Sequence, residues 1–100
     1  MKVRVHFTGS SMSIFIVSGA GITRIGDQNL HSSSASPRKI DMFKKVFSDN
    51  EEYNIEPFFL ALTKIRNIRL LGFLNDKWMN NTIAQLRETL ERKEVKREGF

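Results

Sequence analysis

Met79, Ile83, Leu86 and Leu90 recur at spacings of four, three and four, which places all four on one face of a helix. Arg87, Glu88, Glu91 and Arg92 fall on the opposite side, and Glu88 and Arg92 are spaced to pair at i, i+4. A stripe of this kind cannot remain in water. Whatever the chain folds into must cover it, either with its own elements or with a partner. Asp76 is one candidate start for the helix. Thr82 is the other, because Thr82-Ile83-Ala84-Gln85 matches a capping box. Charges alternate beyond Glu94, so residues 94–100 are expected to fray. Trp78 and Met79 at the helix start, with Ile83, Leu86 and Leu90, form the candidate partner-binding surface, for a protein or for a second copy of the chain.

The residues upstream offer a small sheet. Lys2 to Thr8 alternates strictly, with Val3, Val5 and Phe7 on one face and Lys2, Arg4, His6 and Thr8 on the other. Gly9-Ser10-Ser11 supplies a turn, and Met12 to Val17 reads as a central strand apolar on both faces. After Ser18-Gly19-Ala20-Gly21, Ile22 to Ile25 makes a short third strand. Connections this short permit only an antiparallel meander.

Residues 26–36 are polar, rich in small side chains and without periodicity, the pattern of a mobile surface loop. Ser36-Pro37 starts a helix, with Ser36 as N-cap and Pro37 in the first helical position. Ile40, Phe43 and Phe47, with Val46 beside them, form its apolar stripe to about Ser48. An acidic connection, Asp49 to Glu52, leads to a second helix over Ile55 to Arg66, where Pro57 is tolerated in the first turn. Its apolar arc, Phe58, Phe59, Leu62 and Ile65, is wide enough to make it the most buried helix. The run 68–74 carries branched residues and Gly72, and is read as a possible fourth strand.

Strands first and helices after predict one α+β domain over residues 1–100: a small antiparallel sheet covered on one face by about three helices. One hundred residues suffice for two packed layers. There is no cysteine, hence no disulfide framework and no thiolate chemistry. The longest apolar runs fall far below the roughly 20 residues needed to span a bilayer, and the N-terminus lacks the continuous apolar core of a signal peptide. These features point to a cytoplasmic protein with no membrane partner.

Several motifs bear on chemistry. Ile14-Phe15-Ile16-Val17 followed by Gly19-Ala20-Gly21-Ile22-Thr23 resembles the strand-then-glycine opening of sirtuin-type NAD-binding domains, which implies a backbone approach to a pyrophosphate. The continuation Arg24-Ile25-Gly26-Asp27-Gln28 departs from that family, and the competing reading is a plain glycine hairpin. No cofactor is expected. At the start of the first helix, Ser34, Ser36, Arg38 and Lys39 combine free amides with two cations, a candidate anion site.

The net charge of +5 is spread along the chain, with a surplus of two cations in residues 1–54 and three in residues 55–100. Residues 1–26 hold no acid at all. Arg4 and Arg24, with Lys2, and Lys64, Arg66 and Arg69 at the end of the second helix, are the candidate nucleic-acid-binding cations. The phenylalanines, Phe15 among them, fit core positions, so Trp78, Tyr53 and Phe100 are the aromatics expected at the surface. His6 and His31 have no spaced acidic or histidine partner that suggests a metal site or a triad. The composite expectation is a non-enzymatic protein that acts by occupying a macromolecular partner, as adaptors and phage-type inhibitors do. The alternative is a nucleic-acid-binding domain.

Overall fold

The computed structural model describes residues 1–8, 11–25 and 37–98, with side chains at 1–8, 11–25 and 40–92. Strands β1 (Lys2–Thr8), β2 (Ser11–Ser18) and β3 (Gly21–Ile25) form the antiparallel meander. The register pairs Arg4 with Phe15 and Phe15 with Arg24, and Val5 with Ile14 and Ile14 with Ile25. Ser18 pairs with Gly21, so Gly19 and Ala20 make a two-residue hairpin turn. Gly21 sits at φ 131, backbone that a side chain rarely adopts. The glycine-rich segment therefore joins two antiparallel strands. It does not lead from a strand into a helix as the sirtuin-like reading requires.

The sheet order is β3-β2-β1-β4, where β4 is Glu52–Asn54. This corrects the sequence reading, in which 68–74 is a possible fourth strand and Asp49 to Glu52 is an acidic connection. Residues 68–74 instead form a single 3₁₀ turn over Arg69–Leu71, closed by Gly72 at φ 72. The left-handed glycine turns the chain back, which an extended strand cannot do. β4 pairs antiparallel with the first half of β1, Lys2 to Asn54 and Arg4 to Glu52. Asn50, at φ 59, bends the chain into that pairing, and its amide donates to the Val5 carbonyl at 2.7 Å. Asparagine tolerates this conformation better than most residues.

Three helices, α1 (Pro37–Val46), α2 (Ile55–Asn67) and α3 (Lys77–Glu98), pack on one face of the sheet. Val3, Val5, Met12, Ile14, Ile16 and Ile25 form the inner sheet face. They merge into one cluster with Ile40, Phe43 and Phe47 of the α1 region, with Phe58, Leu62 and Ile65 of α2, and with the stripe of α3. Val46 is turned outward. α3 starts at the earlier of the two candidate positions: Asp76 Oδ1 accepts from the Met79 amide at 2.9 Å, an N-cap bond. Thr82 is buried inside the helix, and its hydroxyl donates to the Trp78 carbonyl at 2.7 Å. The α3 backbone is helical as far as Glu98, past the point where fraying is expected.

The decisive packing fact concerns the α3 stripe. Met79, Ile83 and Leu86 are buried, Leu90 packs partly buried against them, and Trp78 retains 5% exposure. The Trp78 ring meets Phe43 edge-on with centroids 6.0 Å apart, a favourable aromatic geometry. The residues expected to meet a partner meet the chain's own core. Tyr53 is likewise half-buried against Phe47 and Phe58, and its hydroxyl accepts from the Ser48 amide at 2.8 Å.

Candidate functional site

With all three helices on one face, no helix or strand among the described residues covers the other face of the sheet. Successive side chains of a strand point to opposite sides, so burial of Val3, Val5, Ile14 and Ile16 sends Lys2, Arg4, His6, Ser13, Phe15 and Val17 outward. None of these outward side chains is buried. Their rows follow from the register. One row runs Asn54, Lys2, Val17, Ile22; the next runs Glu52, Arg4, Phe15, Arg24; His6 and Ser13 form a third. Neighbouring strands lie about 4.8 Å apart, so Arg4 and Arg24 flank the Phe15 ring at roughly one strand spacing on each side. Ile22 is 59% exposed and extends the apolar strip toward the edge strand.

The cations of this face are lightly held. Arg4 donates to Glu52 at 2.5 Å, but the two side chains are 36% and 37% exposed. An ion pair that wet contributes about 0–1 kcal/mol, so a phosphate can compete for the guanidinium at little cost. Lys2 Nζ donates to the Asn54 amide oxygen at 2.7 Å, and Arg24 reaches the Ser13 hydroxyl only at 3.4 Å. Glu52 is the sole acid in the three rows.

His6 has a partner that its sequence neighbourhood does not reveal. Its Nδ1 lies 3.1 Å from Asp49 Oδ1 and 3.0 Å from Asn50 Oδ1. A carboxylate can only accept, so Nδ1 carries the proton and Nε2 is the other ring nitrogen available for hydrogen bonding. Asp49 also accepts from the Phe7 amide at 2.8 Å, and this bond is the main cause holding its carboxyl below the usual range, followed by attraction to His6. The arrangement fixes the imidazole ring and adds a hydrogen-bonding edge to the platform. Among the described residues no group of three or more histidines and acids converges as a metal site.

The other expected residues separate from this face. Lys64, Arg66 and Arg69 belong to the helical layer, on the opposite side of the sheet from Arg4 and Arg24. Arg66 is engaged with Asn67 and Asn80 across the α2–α3 junction. The six basic residues therefore make two groups instead of one patch. Ser34 and Ser36, and the side chains of Arg38 and Lys39, lie outside the described residues, as do His31 and Phe100. Phe15 is the residue the sequence reading missed: it is an aromatic on the open face, partly buried, where a core position was expected. The signal was available in part, since a strand apolar on both faces leaves one face to be covered by something.

Comparison with protein-family models, with curated proteins and with solved structures returns no match. No helix among the described residues is long and apolar enough to cross a membrane.

Proposed function

We propose that this chain is a non-enzymatic module that binds single-stranded nucleic acid on the open face of its sheet. The observation that carries the reading is the row Arg4–Phe15–Arg24, an aromatic ring on a solvent-facing sheet with a cation on each side. Every base presents a π-face, so stacking on one ring contributes about 1–3 kcal/mol without regard to sequence. Lys2, Arg4 and Arg24 supply the phosphate contacts, and Ser13 and His6 Nε2 offer hydrogen bonds to base edges or to a ribose hydroxyl. A duplex hides its base faces and gains nothing from Phe15. The reading in which α3 docks on a protein loses its motive, because that stripe is already covered.

The test is anisotropy of a labelled single-stranded oligonucleotide across a salt series. Arg4→Gln with Arg24→Gln should weaken binding and flatten the dependence of log K on log salt by roughly 1 per phosphate contact removed. A slope unchanged by the double variant contradicts the proposal. So does a duplex bound as tightly as the single strand.

A further inference from the structure

The turn between α2 and α3 exposes what a soluble surface normally hides. Leu70, in the middle of the 3₁₀ turn, is 97% exposed, while its neighbours Leu71 and Phe73 point into the core. Ile68 and Leu74, two and four residues away, are each more than two-fifths exposed. The backbone here is closed on itself, with the Leu71 amide bonded to the Ile68 carbonyl and the Gly72 amide to the Arg69 carbonyl. Leu70 therefore protrudes from a hydrogen-bonded turn. On the outward face of α2 leading to it, Leu60 is also exposed and Lys64 follows one turn later, at i+4.

Cations outnumber acids around the tip, where the one nearby acid in the sequence, Asp76, is the α3 cap. Residues 57–75 contain Lys64, Arg66 and Arg69 and not a single Asp or Glu. Lys64 and Arg69 are both exposed. A second copy of the chain is a poor occupant, because it would bring the same cations to the interface. A turn with exposed apolar side chains and nearby cations matches an anionic lipid surface: leucine enters the acyl boundary while lysine and arginine stay at the headgroups. Such an association needs no spanning helix.

We infer that the Ile68–Leu74 turn, in the α2–α3 connection of the helical layer, is a shallow membrane-docking tip for anionic bilayers. The test is co-sedimentation of the full chain with vesicles of phosphatidylcholine alone and of phosphatidylcholine mixed with phosphatidylglycerol. Binding to the mixed vesicles only is expected, and Leu70→Asp should reduce it by roughly tenfold or more, the loss of one buried leucine. Lys64→Gln with Arg69→Gln should also reduce it and lessen its salt sensitivity, while Arg4→Gln with Arg24→Gln should leave it intact. Leu70 contacts so little that Leu70→Asp should unfold at the wild-type midpoint, which circular dichroism checks.

Three results overturn the inference. One is no binding to either vesicle. Another is binding that survives Leu70→Asp and disappears with the sheet-face double variant, which would make it adventitious attraction to the sheet. The last is concentration-dependent assembly in sedimentation velocity that Leu70→Asp abolishes, which would make a second copy the occupant.

Discussion

Asp49 shows how a single exposed side chain can organise a site. It closes the gap between β1 and the approach to β4 by accepting from the Phe7 amide, and it orients His6 at the same time. Its folded-state pKa is lowered, so its contribution to stability is present above about pH 4, the ordinary aspartate value, and is lost as pH falls through the folded value. Urea unfolding between pH 3 and 7 should therefore show Asp49→Asn less stable than the wild type at neutral pH, with the difference shrinking in acid. A difference that grows in acid would contradict the assigned role. In the core, Leu86 has no exposed surface, and Leu86→Ala should cost about 2–5 kcal/mol in the same assay. The single tryptophan gives a simpler check. With Trp78 buried against Phe43, its emission should lie to the blue of the unfolded chain's, and an unshifted spectrum would mean that the α3 stripe is not covered.

Among the elements, the turn after α2 is anchored by Leu71 and Phe73 in the core and shaped by the backbone at Gly72. An added Cβ at Gly72 meets no atom within 4 Å, but φ is 72, so Gly72→Ala should destabilise by about 1–2 kcal/mol through conformation and not through a clash. Asp76→Ala removes the α3 cap and should cost about 1 kcal/mol, both readable from chemical denaturation. The same elements show where a sequence is readable. β1 declares itself by alternation and α3 by its 3.6-residue stripe, because each repeats its period long enough to be recognised. β4 does not: it is three residues long, follows an acidic run, and exists only because β1 offers it a partner some fifty residues upstream. Residues 68–74 carry the branched apolar side chains of a strand, yet one left-handed glycine decides the shape. His6 and Asp49 are 43 residues apart and meet through the bend at Asn50, which local spacing cannot encode. Phe15 is misread for a related reason. Periodicity tells which residues share a face, not which face the helices will take.

At the scale of the molecule, the two layers divide the surface in two. One side is the outer sheet face with Lys2, Arg4, Phe15 and Arg24, and the other is a helical layer whose α2–α3 connection carries Arg69 and Leu70. This separation explains why a net charge of +5 is not a single basic patch, and it lets each surface be altered without touching the other. Phe15→Ala should weaken single-strand binding roughly tenfold, consistent with about 1–3 kcal/mol for one stacked base, and leave vesicle binding unchanged. The most direct measurement is an amide NMR titration with a short single-stranded oligonucleotide at moderate salt. If the sheet face is the binding surface, the largest shifts fall on Arg4, Ser13, Phe15, Val17 and Arg24, with Lys64 to Leu74 unmoved. Shifts confined to Lys64 to Leu74, or none on β1 to β3 at saturation, would contradict it.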